Sequence, residues 1–204
     1  MILYMNILNL FSQGLNSLDI NIDTKHQQQI LDYLVLLKKW NRVYNLTAIA
    51  DEEMIPKHVL DSLAVLPYIC GTRILDVGTG AGLPGLLLAI ARPDWQCVLV
   101  DSNAKKIRFI KQVIIELKLD NVEAVCSRIE NFNDQKLFDT IISRAYSDIQ
   151  SFYMQTERLC SNGGCLLAMK GKKPEIAEIQ ASIKIIPLKI PYLQAARHLV
   201  KIRL

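Results

Sequence analysis

Several things are missing from this chain, and each absence removes a class of answer. No apolar run in its 204 residues reaches the roughly 20 needed to cross a bilayer as a helix, so no membrane partner is expected. The amino end, MILYMNILNLFSQGLNSL, has no basic n-region and no small-residue cleavage site. It reads as a docking helix, not as a signal peptide. The five cysteines (Cys70, Cys97, Cys126, Cys160, Cys165) follow neither CxxC nor Cys/His spacing. That argues against a disulfide framework, leaves no metal site, and fits reduced thiols in a cytoplasm. Internal repeats and low-complexity linkers are absent too. Half of the residues are hydrophobic, enough for a sizeable core in one domain with an extension.

Residues 1–70 read as that extension, helical and packed on the core. Thr24-x-x-Gln27 before an apolar run has the pattern of a capping box. Ile30, Leu31, Leu34 and Leu37 then recur at helical spacing to about Trp40, and a second helical stretch covers 52–69 with a break near Pro56. From Arg73 the pattern alternates. Strands are expected near 73–77, 96–101, 122–126, 138–143, 164–169, 183–190 and 197–203, and helices near 84–92, 104–118, 148–160 and 173–182. Such alternation gives an α/β fold over 71–204, a Rossmann-like seven-stranded sheet, mainly parallel, with helices on both faces. The last two strands have no helix between them, so one should run antiparallel.

The densest information lies in RILDVGTGAGLPGLLLAIARPDWQCVLVD (73–101). Gly78, Gly80 and Gly82 permit a sharp turn and a close approach to a ligand, and Pro84 suits the first turn of the next helix. Asp101 closes the second strand, where an open parallel sheet places a carboxylate against a ribose. Gly80-x-Gly82-x-x-Gly85 satisfies the dinucleotide fingerprint, which keeps a nicotinamide-dependent oxidoreductase open. Asp76 adds a second acid. The pattern D-x-G-x-G-x-G with a later strand-end acid is that of S-adenosylmethionine (SAM) methyltransferases. Asp76 would then sit near the cofactor's ammonium, directly or through water, with backbone N–H groups near the helix start favouring its carboxylate. In the loop after the third strand, Ile129 and Glu130 suit the face and edge of an adenine. Arg144, after the fourth strand, suits the cofactor or a substrate phosphate.

The acceptor is read by elimination. SRAY stands where amine methyltransferases carry an NPPY-type tetrapeptide, and no Cys follows a Pro. What remains includes lone-pair acceptors such as a guanine N7, which would require no general base, and no catalytic residue is assigned. Net charge is only +4, but residues 161–204 hold eight Lys/Arg against two acids, and AKKIRFIK (104–111) adds four cations. Such clusters attract phosphate backbones. Asn41, Arg42, Lys105, Lys106, Arg108, Lys170, Arg197 and His198 are candidate RNA contacts. Trp40 reads as a core anchor, and His58 as an ordinary hydrogen-bonded histidine. A non-catalytic ribosome-assembly RNA binder with the same fold also stays open.

Seven blocks occur in order: WNRVYNLTAI (40–49), HVLDSLAVLPYI (58–69), ILDVGTGAGLPG (74–85), LVDSNAKKIRFIKQV (99–113), FDTIISRA (138–145), MKG (169–171) and ARHLVKI (196–202). Together they resemble the bacterial GidB family, the 16S rRNA guanine-N7 methyltransferases. The resemblance implies a cytoplasmic SAM-dependent enzyme, expected to be monomeric. Its product would be 7-methylguanosine at position 527, in the 530 loop of 16S rRNA, with free rRNA, an assembly intermediate or the 30S subunit as partner. It also implies cofactor contacts at Gly78, Leu83, Ile129, Glu130 and Arg144, and a link between loss of activity and low-level streptomycin resistance. Ala81 stands where many relatives have proline, and the basic stretch after MKG departs from more acidic relatives.

Overall fold

A computed structural model of the chain describes residues 2–144, 146, 148–174 and 179–204, without the side chains of 2–6. Two helices come first, α1 (Ile2–Ser17) and α2 (Thr24–Tyr44). The cap of α2 lies one residue earlier than the Thr24 reading. Asp23 accepts the His26 N–H at 2.9 Å, and Gln27 reaches back to the Ile22 carbonyl at 2.7 Å. Residues 51–68 form short helical pieces: a π-helical stretch Ile55–Leu60 beginning around Pro56, running straight into α3 (Asp61–Leu63). Wide π turns are frequent at functional sites.

Strands β1 (Arg73–Val77), β2 (Gln96–Asp101), β3 (Val122–Cys126), β4 (Phe138–Ser143), β5 (Cys160–Lys170), β6 (Ser182–Leu188) and β7 (Arg197–Arg203) form one sheet in the order β3-β2-β1-β4-β5-β7-β6. The pairs among β1–β5 are parallel; β7 runs antiparallel to both β5 and β6. Pro187 has no N–H for a ladder, and β6 tolerates it as the outermost strand. Helices α4 (Gly85–Ala91), α5 (Ala104–Leu117) and α6 (Ile149–Thr156) cover the sheet.

Successive β1 residues enter different cores, which is why the strand is apolar almost throughout. Ile74 joins a cluster with α1, α2, α4 and α5; Leu75 and Val77 join a second cluster that includes Ile149 and Phe152 of α6. The amino-terminal helices thus share one apolar cluster with a face of the sheet. Trp40 packs there against Phe109 and stacks on Tyr44. The helix expected over 173–182 is not found in its described part. Residues 173, 174 and 179–181 are non-helical, and 175–178 lie outside the described residues. An Ala181 N–H to Ile179 carbonyl bond makes a tight turn leading into β6. Among the described residues, no helix is long and apolar enough to cross a membrane.

Candidate functional site

Three adjoining cavities run along the carboxyl ends of the parallel strands. The first, about 390 Å³, is walled by Val77, Gly78, Asp101, Ile129, Glu130 and Tyr146 among others. The second, about 140 Å³, lies over the glycine turn and shares Gly78 and Lys106 with the first. The third, about 310 Å³, contains Lys57, Asp61, Lys170 and Arg197 and shares His58 and Arg144 with the second. Strand ends place these walls side by side because β2, β1, β4 and β5 are near neighbours in the sheet, as expected for a site at the switch in strand order.

The turn is built by backbone geometry. Gly78 and Gly80 adopt φ of 66° and 62°, values that side-chain-bearing residues avoid. Gly80 donates its N–H to Asp101 Oδ2 at 2.9 Å, and Asn103 N–H reaches Oδ1 at 2.8 Å. Asp101 therefore braces both the turn and the start of α5. Each of its oxygens retains a second lone pair, and the residue is 7% exposed on the wall of the first cavity. A Cβ on Gly80 would meet nothing nearer than the Gly78 carbonyl at 4.0 Å, so open space lies above the turn. Tyr33 of α2 props the turn from behind, donating to the Ala81 carbonyl at 2.9 Å.

One expectation needs correction here. The turn's N–H groups are largely engaged within the chain. Gly78 and Thr79 donate to Val100, Gly82 and Leu83 to Thr79, and Gly85 to Asp76. They hold the turn's shape and leave few donors for an anionic ligand. Cations serve the second cavity instead, with Lys106 and Arg144 on its wall. Asp76 is 1% exposed and is not part of any of the three walls. Its Oδ2 accepts the Thr79 hydroxyl at 2.6 Å and the Gly85 N–H at 2.8 Å, while Oδ1 is buried without a partner. Burial pushes this carboxyl up to about 6, opposed by those two hydrogen bonds.

Leu83, Ile129, Glu130 and Arg144 line the cavities as the strand-end argument required. The RNA candidates separate. Lys106, Lys170 and Arg197 stand on cavity walls, and Lys170 Nζ donates to the Tyr146 carbonyl. Burial lowers the Lys170 pKa from its ordinary value. Arg42, Lys105 and Arg108 are exposed beyond the cavities. His198 sits on β7 opposite Lys170 in register, its Nδ1 buried and unpartnered. Asn41 bonds the backbone: its amide donates to the Thr47 carbonyl at 2.9 Å and accepts the Thr47 N–H at 2.8 Å, clamping the loop after α2.

Thr47 and Asp61 escaped the sequence reasoning, whereas the hydrogen bond expected of His58 is present. Thr47 Oγ1 lies 2.9 Å from His58 Nε2, and His58, 3% exposed, keeps Nδ1 without a partner between the second and third cavities. Burial, and then Arg144, press the His58 pKa down to about 4, so the ring is neutral at pH 7. Asp61, also 3% exposed, pairs with Arg197 and Arg144. The available signal was His58 and Asp61, three apart and followed by Ser62, inside the otherwise apolar helical run HVLDSLAVL.

A profile of the GidB family, described as rRNA small subunit methyltransferase G, matches residues 26–200. Curated relatives called ribosomal RNA small subunit methyltransferase G include one from Nitrosococcus oceani, 51% identical over 96% of this chain and 94% of the relative. Another, from Laribacter hongkongensis, is 46% identical over 98% and 100%. Among solved structures, a SAM-dependent methyltransferase from Aquifex aeolicus superposes with a TM-score of 0.57 at 17% identity, over 74% of this chain and 93% of that one. A precorrin-6y C5,15-methyltransferase from Geobacter metallireducens gives 0.54 at 11% identity, over 69% and 84%. These two likenesses concern the fold alone.

Proposed function

Because this chain belongs to the GidB family, the rRNA small subunit methyltransferases G, we propose that it transfers a methyl group from SAM to N7 of guanosine 527 in the 530 loop of 16S rRNA, in the cytoplasm. Family membership answers the nicotinamide and non-catalytic alternatives. The observation that carries the finer reading is the run of three cavities with shared walls, one suited to an adenosine and one ringed by cations.

The residues present fit the cofactor. Asp101 offers its spare lone pairs to ribose hydroxyls, Ile129 an apolar face to the adenine and Glu130 a carboxylate to its edge. Gly78, Gly80 and Leu83 shape the floor. Arg144 and Lys106 suit the carboxylate of the amino-acid tail, and the unpartnered Asp76 Oδ1 suits its ammonium, directly or through water. When bound, SAM supplies an electrophilic methyl on a sulfonium. The chain's own part is alignment and exclusion of water, since N7 presents a lone pair and no proton has to be removed. Lys170, Arg197 and Arg144 offer positive charge to the phosphates that deliver the base. The neutral His58 ring adds no charge where the purine becomes cationic.

Nucleoside mapping by mass spectrometry of 16S rRNA, from cells with and without this chain, tests the proposal. Loss of 7-methylguanosine at 527 on deletion is the expected result. An unchanged level, or a methyl group on another atom, rejects it.

A further inference from the structure

One buried carboxylate on the third cavity has no part in the steps above. Arg197 Nε donates to Asp61 Oδ1 at 3.0 Å, and Arg144 Nη1 faces Oδ2 at 3.7 Å. The first contact is a hydrogen bond; the second is too long for one and acts through charge. Arg144 also donates to the Lys57 carbonyl at 3.3 Å and stands in the wall common to the second and third cavities. Lys57 has its own acid in Glu53, and among the described residues Asp61 is the one acid lining the third cavity. Two guanidiniums thus share a single carboxylate beside the place where, on the reading above, positive charge passes from sulfur to purine. Burial pushes the Asp61 carboxyl above its ordinary value, and both arginines pull it back.

We propose that Asp61 is a positioning residue and counter-charge for methyl transfer. It holds Arg144 and Arg197 on the shared wall and cancels enough of their charge for a cationic donor and a cationic methylated base to sit beside them. Unscreened charges interact strongly in a water-poor cleft, so two bare guanidiniums there would oppose both states while still attracting phosphate. The inference rests on the methyl-transfer reading, but part of its test does not need RNA.

SAM and S-adenosylhomocysteine share their recognition groups and differ in the sulfonium charge. In D61N, SAM should weaken about fivefold more than S-adenosylhomocysteine by titration calorimetry. Adding R197Q to D61N removes one guanidinium and should restore the ratio. R197Q alone should shift the ratio the other way, and reads the same quantity should D61N fold poorly. With small-subunit rRNA, kcat of D61N should fall about tenfold while KM for RNA stays level or drops. Equal weakening of both ligands, or a ratio that moves less than about twofold in D61N and R197Q alike, overturns the proposal. If the parent protein leaves rRNA unmethylated, the functional reading fails while the ligand ratio still decides the role of Asp61.

Discussion

At the amino ends of the strands nearly every buried polar group is answered within the chain, whereas at the carboxyl ends several are left open. At the closed end, Asp139 accepts the N–H groups of Thr72 and Arg73 at 2.9 and 3.0 Å. Thr140 exchanges hydrogen bonds with the Cys70 backbone at 2.8 and 2.7 Å. Asn121 donates to three carbonyls, of Ala89, Arg92 and Trp95. Arg73 Nε, in a guanidinium that pairs with Asp134 and lies over the Phe138 ring, and Gln29 Oε1, whose amide donates to the Leu117 carbonyl at the end of α5, are exceptions there. At the open end, Asp76 Oδ1, His58 Nδ1 and His198 Nδ1 are buried without partners. An unanswered buried polar atom costs free energy, and on the proposed reading a ligand would answer atoms of this rim.

Substitutions at the two ends should therefore separate binding from stability. The largest effect is expected at Asp101, which braces the turn and faces the first cavity. D101A should weaken SAM about 100-fold in calorimetry, the scale of losing more than one hydrogen bond to a charged group. Affinity retained within about threefold would take Asp101 out of the site. Next comes the closed end. N121A leaves three carbonyls short of a donor and should lower unfolding free energy by about 2 kcal/mol in urea titrations, with SAM affinity unchanged; a loss of affinity without a loss of stability would erase the contrast.

Asp76 sharpens the comparison further, because one oxygen is structural and the other is open. In D76N the amide oxygen can keep the Thr79 and Gly85 bonds, so stability should hold while SAM weakens about tenfold. Equal affinity of the two proteins would exclude Asp76 from ammonium binding. The smallest effect is one of pH. Between its ordinary 3.8 and about 6, folded Asp76 holds a proton that the unfolded chain releases, so its contribution to stability falls as pH rises through that window. His58 acts in the opposite sense. From about 4 to 6.5 the unfolded chain binds a proton that the folded ring refuses, so this contribution rises with pH. Removing Asp76 should leave the His58 slope unopposed, and D76N should lose stability more steeply than the parent from pH 6 down to 4. Parallel urea-midpoint profiles for the two proteins would contradict that pairing.

Much of this arrangement was legible in one dimension. Strands β1, β2 and β4 fall on apolar runs that reach an Asp or Ser near the rim, because a strand buried on both faces needs apolar residues until it gets there. Gly78 and Gly80 announced a turn because few other residues hold a positive φ. The helix placed over 173–182 had only short-range cues, and the tight turn at Ile179 and Ala181 ahead of β6 was not among them. The engagement of the Gly78, Thr79 and Gly80 N–H groups was likewise invisible, since their acceptors, Val100 and Asp101, come from a neighbouring strand.

Local chemistry, then, was enough to set the alternation of elements, the glycine turn and the acids at the strand ends, for those depend on neighbours a few residues apart. Folding alone decided that Asp61 would meet Arg197 across 136 residues of chain, that His58 would lose its water beside Arg144, and that one oxygen of Asp76 would stay unanswered. Burial and long-range charge have no signature in spacing. They arise only when distant segments exclude water together, as they do around His58, Asp61 and Asp76 at this rim.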